Sequence, residues 1–146
     1  MLLGTYQNSI DSLRRCVLPS KLRDELGEKC VLIKGYDRCL YLYTEKAFKE
    51  YTENNVANLP DADDEARGMR SSYYYSLVEC DIDKQGRIKI PESFLKYAGI
   101  EKDMVNIGTM DRIEIWSREK IEAKETLGEM DPDRYIRGMS KYAQAL

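Results

Sequence analysis

The chain has 146 residues, which is enough for one ordinary domain or for two small ones that share a core. Its net charge of −3 and its pI near 5.2 argue against binding to nucleic acid over the whole surface. Histidine is absent, so nucleophilic mechanisms that use Ser–His or Cys–His pairs are excluded.

The first half of the chain predicts short strands that alternate with helices. Pro19 suits the first position of a short helix, Gly27 suits the position just after it, and Thr44 suits the N-cap of a longer helix. In chain order, the pattern predicts an extended stretch at 5–10, a turn at 11–15, a strand at 16–18, a helix at 21–26, strands at 30–34 and 39–43, and a helix at 45–51.

The second half predicts the same plan after a partly acidic connection. Residues 61–70 suit a helix, and the extended stretch at 73–82 could instead begin as a continuation of that helix. There follow a turn at 84–86, a strand at 87–90, a helix at 91–97, strands at 104–107 and 113–116, a helix from Ser117 to about 127, and a last helix at 132–143. The apolar side chains of the last helix have helical spacing, which is typical of a core or subunit contact.

The two halves repeat one motif. Residues 11–19 and 83–91 align at an offset of 72, and in both an Asp precedes an Arg by four positions and a Pro follows that Arg by four. Further along, Asp37-Arg38 matches Asp111-Arg112 at an offset of 74. Two copies of one basic turn favour a surface for repeated contacts over a single reaction centre.

Positive charge is concentrated around the two turns. Residues 11–23 carry a net charge of +3 and residues 83–96 carry +2, whereas residues 61–65 are acidic. A directed phosphate-binding face needs such a segregation of charge. Two ordinary solvated turns would show it as well.

The second copy indicates what such a turn can do. Gly86 tolerates positive φ and would let a hairpin turn tightly, while Asp83 can accept hydrogen bonds from backbone N–H groups. Lys84 and Arg87 would then project outward, and Lys89 lies on the same face of the strand as Arg87. An arginine fork suits a phosphate or the edge of guanine, and a pair of such ribbons fits a DNA groove. A turn that only stabilises itself remains the alternative at this point.

The four cysteines predict structural thiols. Cys16, Cys30, Cys39 and Cys80 have no Cys-x-x-Cys spacing, so we expect small buried side chains, with no metal and no cofactor. No apolar run approaches the roughly 20 residues that span a bilayer. The N-terminus lacks the basic and apolar regions of a signal peptide, and we therefore expect a cytoplasmic protein.

Several motifs occur in one order along the chain. They are Asp-x-x-x-Arg twice, Leu3-Gly4, Asp-Arg-Cys-Leu-Tyr-Leu-Tyr at 37–43, Asp-Lys-Gln-Gly-Arg-Ile at 83–88 and Asp-Arg-Ile-Glu-Ile-Trp-Ser at 111–117. In these motifs, and over nearly its whole length, the chain resembles the MraZ family.

The resemblance implies an α+β, β-rich fold in which two tandem AbrB/SpoVT-like units form a double-split β-barrel with added helices. The units would span 1–53 and 73–127, with an acidic helical linker at 54–72 and a C-terminal helix at 128–146. Members of the family are bacterial transcriptional regulators of the division and cell-wall gene cluster, and their subunits assemble into rings. A cytoplasmic, nucleoid-associated homo-oligomer is implied, with its turns facing short direct repeats of double-stranded DNA in the promoter of its own operon.

The same resemblance implies a role for individual residues. The DNA-contacting residues would be Arg15 and Arg87 at the centre, with Arg14, Lys84 and Lys89 in support. The residues that shape the turns would be Asp11, Asp83 and Gly86.

The first turn departs from the family's Asp-x-Lys-Gly-Arg pattern. Leu13 replaces a basic residue and Arg14 replaces the glycine. Either Arg14 takes positive φ at a cost of roughly 1–2 kcal/mol, or the turn changes shape and moves Arg15. We therefore expect the first turn to contribute less to a DNA contact than the second.

Two other classes of function stay open. A ring-forming protein-interaction or assembly module without specific DNA binding is favoured slightly by the acidity of the chain and by its altered first turn. An enzyme is disfavoured, because no carboxylate pair has a recognisable acid/base spacing and no Gly-rich phosphate loop is present. We expect a non-enzymatic DNA-binding regulator with no small-molecule substrate and no membrane partner.

Overall fold

The computed structural model describes residues 1–143, and the predicted C-terminal unit therefore extends by residues 144–146 beyond the described part. The strands are β1 (Leu2–Ser9), β2 (Arg15–Val17), β3 (Lys29–Lys34), β4 (Leu40–Thr44), β5 (Leu77–Asp81), β6 (Arg87–Lys89), β7 (Asp103–Met110) and β8 (Arg112–Ser117). The helices are α1 (Ser20–Leu26), α2 (Glu45–Asn55), α3 (Asp64–Tyr75), α4 (Glu92–Ala98), α5 (Arg118–Thr126) and α6 (Pro132–Ala143), with a 3₁₀ turn at Tyr36–Arg38. The mixture of helices and an antiparallel sheet confirms the predicted α+β class.

Six strands form one antiparallel sheet, and the other two form a small sheet of their own. The large sheet has the order β1-β7-β8-β4-β3-β5, and the small sheet pairs β2 with β6. The matching strands of the two halves are β1 and β5, β3 and β7, and β4 and β8. If each strand is replaced by its match, the order of the large sheet is the same read in reverse. The first strand of each half therefore pairs with a strand of the opposite half. Strand β1 pairs with β7, and β5 pairs with β3.

The large sheet is covered on both faces. Strand alternation sends Leu32 and Leu42 to one face, where they pack with residues of the small sheet, α1 and α4. It sends Tyr41 and Tyr43 to the other face, where they pack with residues of α2, α3 and α5. The small sheet is thereby fixed on one side of the molecule, and the tyrosine-rich face lies on the other side of the large sheet.

The two prolines of the repeat precede their helices instead of starting them. Pro19 and Pro91 have extended ψ angles of 129° and 147°, so α1 begins at Ser20 and α4 begins at Glu92. Proline fixes only φ, and its value is accepted by the residue before a helix as well as by the first helical residue. The prediction for the helix start was therefore wrong by one residue.

Helix α3 decides between the two alternatives stated for the stretch at 73–82. The helix continues to Tyr75, and β5 begins only at Leu77. The Tyr73 ring stacks on Phe48 of α2 with 6.4 Å between centroids, and its hydroxyl lies 2.7 Å from the hydroxyl of Thr52. Packing against α2 therefore outweighs the strand preference of the Tyr-rich run.

Candidate nucleic-acid interface

The small sheet holds the two repeated turns side by side. Arg15 of β2 lies opposite Lys89 of β6, and Val17 lies opposite Arg87. The central residue of each strand is buried, so the flanking residues project from the outer face. Arg15, Arg87 and Lys89 therefore share one exposed surface. We use the name turn face for this surface together with the two turns that precede the strands, 11–15 and 83–87.

The turn face is built by both halves of the chain together. The backbone N–H of Leu18 donates to the carbonyl oxygen of Gly86, and that of Ile90 donates to the carbonyl oxygen of Arg14, both at 2.8 Å. The tight turn predicted in each repeat is closed by a backbone hydrogen bond, from the N–H of Asp11 to the carbonyl oxygen of Arg15 at 2.9 Å and from that of Asp83 to Arg87 at 3.0 Å. Each turn joins strands of different sheets, and the two-stranded ribbon of β2 and β6 is formed between the repeats.

In the second turn, one carboxylate organises the backbone. Asp83 Oδ1 accepts hydrogen bonds from the backbone N–H groups of Gln85 and Arg87, both at 2.9 Å. Asp83 Oδ2 accepts a hydrogen bond from Arg87 Nε at 2.8 Å. The carbonyl oxygen of Asp83 closes the turn by accepting from the N–H of Gly86 at 2.9 Å. The carboxylate therefore fixes both the loop and the base of the guanidinium group.

The first turn makes the same bonds in spite of its different sequence. Asp11 Oδ1 accepts from the N–H groups of Leu13 and Arg15 at 2.9 and 2.8 Å, and Asp11 Oδ2 accepts from Arg15 Nε at 2.9 Å. Arg14 has a φ of 62°, close to the 76° of Gly86. Of the two alternatives stated for this turn, the left-handed arginine is thus the one observed. Arg15 keeps the position relative to Asp11 that Arg87 has relative to Asp83.

These hydrogen bonds lower the pKa of both aspartates below the ordinary value of 3.8. The largest contribution for Asp11 is the backbone N–H of Arg15, and for Asp83 it is the backbone N–H of Arg87. Donors that stabilise the charged form of a carboxyl group lower its pKa. Both carboxylates are therefore ionised at neutral pH and available to orient the arginines.

Each arginine is held at its Nε and otherwise available to a partner. The side chains of Arg15 and Arg87 are 33% and 26% exposed, and within residues 1–143 their terminal guanidinium nitrogens make no hydrogen bond. Arg14 and Lys84 are exposed within the two turns, and Lys89 is exposed on β6. All five basic residues predicted from the sequence therefore lie in the two turns or in the strands that follow them.

Arg23 is a basic residue of this surface that the sequence analysis did not single out. Its Nε donates to the carbonyl oxygen of Leu18 at 3.0 Å, and its guanidinium lies against Gly86. A Cβ added at Gly86 would lie 2.2 Å from Arg23 Cζ, so a side chain at position 86 would displace the Arg23 guanidinium, while the φ of 76° itself favours glycine. A comparison of the two repeats could have revealed this residue. The second half has Leu95 at the position that matches Arg23, so the arginine is a departure from the repeat.

The first turn also has an arginine beside it, and this arginine is Arg14 of the turn itself. Arg14 lines a surface groove with Leu95 of α4, on the side where the second turn has Arg23. The departure from glycine at position 14 therefore places a positive side chain beside the first turn. Each turn therefore has one additional arginine next to it. At the second turn it is Arg23 of α1, and at the first turn it is Arg14 of the turn itself.

Asn8 is a second residue that the sequence analysis missed. Its Nδ2 donates to the carbonyl oxygen of Val17 at 3.0 Å, and its Oδ1 accepts from Asn106 Nδ2 at 2.7 Å. The Oδ1 of the fully buried Asn106 has no hydrogen-bond partner in the part of the chain that the structure describes. The pair connects β1 and β7 to β2 and so positions the strand that carries Arg15.

The four cysteines are free and buried, as the sequence predicted. Burial is the main cause that raises the thiol pKa to about 12 for Cys16, Cys30 and Cys39 and to about 11 for Cys80. Across residues 1–143, no group of three or more His, Cys, Asp or Glu side chains is arranged to hold a metal ion. Within the same range, no helix is both long and apolar enough to cross a membrane.

The fold and the turn face define an α+β protein that presents two congruent Asp–Arg turns on one basic surface. The family model described as "MraZ protein, putative antitoxin-like" matches residues 1–70 and 76–130. The chain belongs to the MraZ family, and the resemblance found in its motifs is confirmed.

Proteins of known name show the same relationship over most of the chain. The chain is 46% identical over 120 residues to the transcriptional regulator MraZ of Clostridium botulinum (strain Eklund 17B / Type B), covering 82% of this chain and 84% of the relative. It is 40% identical over 141 residues to the transcriptional regulator MraZ of Caldicellulosiruptor bescii, covering 97% of this chain and 98% of the relative. The relative from Clostridium tetani, of the same name, is 45% identical over 122 residues and is covered to 85%.

Proposed function

We propose that this protein is a non-enzymatic, sequence-specific DNA-binding transcriptional regulator that contacts DNA through the turn face. The observation that carries the proposal is the congruence of the two turns, each with an aspartate that orients one partly exposed arginine. The names of its relatives, which are transcriptional regulators, support the same class. We propose that the units at 1–53 and 73–127 each supply one turn, with the linker at 54–72 between them.

The proposed contacts follow from the chemistry of the arginines. Arg15 and Arg87 are diagonal neighbours on an antiparallel pair, which places the two residues about 7–8 Å apart, with their Cβ atoms somewhat closer. A major groove about 12 Å wide can accept both guanidinium groups at once. A bidentate contact of either group to guanine would discriminate against other bases by about 1–3 kcal/mol. Asp11 and Asp83 serve to shape the turns and do not face the anionic backbone themselves.

The other basic residues would bind phosphates. Arg14, Lys84 and Lys89 are exposed around the two central arginines, and Arg23 lies beside the second turn. Each phosphate that these residues neutralise would steepen the salt dependence of binding by about 0.9 on a log–log scale. A localised face of this kind reconciles DNA binding with the net charge of −3.

Self-association would multiply these contacts. Helix α6 exposes a stripe of apolar side chains, of which Tyr135 and Ile136 are 67% and 56% exposed. Exposed apolar side chains that lie together on one helix face are typical of interaction surfaces. Subunits joined in a ring over short direct repeats in the promoter of the protein's own operon would raise the avidity roughly 10²–10⁴-fold.

The second candidate function is an assembly module without specific DNA binding, and the same apolar stripe on α6 is the observation that favours it. The test is fluorescence anisotropy with DNA from upstream of the protein's own gene and with a scrambled duplex, at about 50 and 200 mM salt. The regulator proposal expects tighter, salt-sensitive binding to the upstream DNA. Equal weak binding to both duplexes would reject it in favour of the assembly module.

The oligomeric part of the proposal has its own test. Ile136→Lys should shift the protein to a smaller species in size-exclusion chromatography with light scattering, because a charge would interrupt the apolar stripe. Arg137→Glu changes the charge on the side of α6 that faces away from the stripe and should leave the size unchanged. Equal sizes for all three proteins would show that α6 does not join the subunits.

A further inference from the structure

A cavity of about 290 Å³ lies at one end of the large sheet, between residues of the tyrosine-rich face and Tyr97 of α4. It is lined by aromatic residues together with Lys34 and Arg112, and no carboxylate is among the residues that line it. The aromatic residues are six tyrosines, namely Tyr36, Tyr41, Tyr43, Tyr51, Tyr73 and Tyr97. The cavity, which we call the tyrosine pocket, is close to the lower limit of about 300 Å³ for pockets that bind small molecules.

Arg112 is a partly buried cation of this pocket; the nearby Glu114 carboxylate favours its charged form but accepts from Trp116 Nε1 and forms no salt bridge with Arg112 within residues 1–143. Its guanidinium carbon lies 3.7 Å from the centroid of the Tyr41 ring, and Nη1 donates to the hydroxyl of Tyr43 at 2.7 Å. Within residues 1–143, Arg112 makes no salt bridge and no other side-chain hydrogen bond. The other N–H donors of the Arg112 guanidinium are therefore available to a ligand.

Lys34 adds a second positive charge. Its Nζ lies 5.1 Å from the centroid of Phe94 and 5.7 Å from that of Tyr97, and it forms no salt bridge in the described part of the chain. Two cations that form no salt bridge within residues 1–143, set among aromatic rings, favour an anionic ligand and disfavour a cationic one.

The loop beside the pocket has a strained backbone. Asp37 and Arg38 have φ angles of 59° and 60°, a left-handed conformation that is uncommon for two successive residues other than glycine. The ring of Tyr41 approaches Gly35 so closely that an added Cβ would lie 2.7 Å from it. Tyr36, on the same loop, is 74% exposed at the edge of the pocket. Strain of this kind is concentrated where a ligand is clamped.

The second repeated motif of the sequence lies at this pocket and has no part in the turn face. Arg112 of Asp111-Arg112 stacks on Tyr41, and Arg38 of Asp37-Arg38 stacks on Tyr97 with 4.7 Å between its guanidinium carbon and the ring centroid. Both arginines of the motif therefore support an aromatic wall of one cavity.

We propose that the tyrosine pocket binds a small planar aromatic molecule that carries one anionic group. Its ring system lies among the tyrosine rings, its anionic group accepts hydrogen bonds from Arg112, and Lys34 adds to the positive potential of the pocket. The volume of about 290 Å³ limits the ligand to one or two fused rings with a small substituent. This site goes beyond the proposed DNA contact and does not depend on it, because none of the residues that line it belongs to the turn face.

The test measures binding to the full-length protein, without DNA, by isothermal titration calorimetry. The probes are benzoate, 1-naphthoate and indole-3-carboxylate, each compared with its neutral counterpart, which is benzyl alcohol, 1-naphthalenemethanol or indole-3-methanol. We expect at least one anionic probe to saturate one site per chain and to bind about tenfold more tightly than its neutral counterpart. No saturable binding by any anionic probe, or equal binding of the matched neutral probe, would overturn the proposal.

Three variants then place the site. Arg112→Gln should weaken the bound probe about tenfold or more, and Lys34→Gln and Tyr51→Leu, which alter less buried positions, should weaken it in the same direction. Arg118→Gln on α5 is the matched control, with the same change of charge outside the pocket, and should leave affinity unchanged. Circular dichroism establishes that each variant is folded. Undiminished affinity in the folded variants of all three pocket positions would overturn the assignment.

Discussion

Arg14 and Gly86 occupy matching positions in the two turns and have the same left-handed backbone, with φ angles of 62° and 76°. Their carbonyl oxygens accept matching hydrogen bonds, from Ile90 and Leu18 respectively, both at 2.8 Å. The pairing between the two repeats therefore requires this conformation in both turns. The first turn keeps it in spite of the strain of an arginine at positive φ, because the small sheet would otherwise lose a backbone hydrogen bond.

The double substitution Leu13→Lys with Arg14→Gly should stabilise the protein. Glycine removes the strain of the left-handed arginine, and its greater freedom in the unfolded chain offsets part of the gain, which leaves about 1 kcal/mol. Urea unfolding measures this change. DNA affinity should stay within about twofold, since Arg15 is already held by Asp11 and the formal charge is unchanged. Clearly tighter DNA binding by the double variant would show that Arg14 does displace Arg15 from its productive position.

Gly86→Ala should have the opposite effect on stability. The new Cβ would meet the Arg23 guanidinium at 2.2 Å, and the φ of 76° is unfavourable for alanine. We expect a loss of at least about 1–2 kcal/mol in the free energy of unfolding. Gly68→Ala is the matched control, because Gly68 lies in α3 with no atom within 4 Å of an added Cβ, and it should stabilise by up to about 1 kcal/mol. Equal effects of the two substitutions would contradict the role given to the backbone at position 86.

Arg23→Met should weaken DNA binding without loss of the fold. Methionine preserves much of the side-chain length that covers Gly86 but removes the positive charge beside the second turn. If Arg23 neutralises one phosphate, the slope of log affinity against log salt should become shallower by about 0.9. Arg118→Met removes the same charge from α5 and should leave the slope unchanged. Identical slopes for wild type and Arg23→Met would assign Arg23 to packing alone.

The turns should loosen in acid. The folded-state pKa of Asp83 is below 3.8, mainly because of the hydrogen bond from the backbone N–H of Arg87. A depressed pKa contributes stability that is present above the unfolded value and is lost as the pH falls through the folded value. Asp83→Asn should therefore lower the free energy of unfolding at about pH 7, and the difference from wild type should shrink towards about pH 2.

Asp11→Asn should show the same pH dependence, since Asp11 has the same donors and its pKa is lowered for the same reason. Urea unfolding between about pH 2 and pH 7 measures both variants. A difference from wild type that stays constant over this range would mean that the carboxylates do not stabilise the turns through their charge.

The sequence predicted the parts of the interface that depend on neighbouring residues. The Asp-x-x-x-Arg spacing predicted the turn, because an aspartate can reach backbone N–H groups two and four residues further on. The repeat predicted a second turn of the same kind. The family resemblance predicted the α+β class.

The parts that the sequence did not predict depend on contacts between distant residues. Nothing local to residues 15–17 and 87–89 indicates that they pair with each other, because the partner of a strand is set by the packing of both halves. Arg23 reaches Gly86 across 63 positions of the chain, and Tyr73 extends α3 through its contact with Phe48 of α2. Propensity and spacing carry no information about such contacts.

The most direct test of the central claim compares Arg15→Ala, Arg87→Ala and the double variant by fluorescence anisotropy on the upstream DNA and its scrambled control. Because the two turns have the same geometry, each single variant should lose at least about tenfold in specific affinity, and the two losses should be equal within about twofold. The double variant should bind both duplexes alike. A double variant that still prefers the upstream DNA as strongly as wild type would contradict the claim that the paired turns read the DNA.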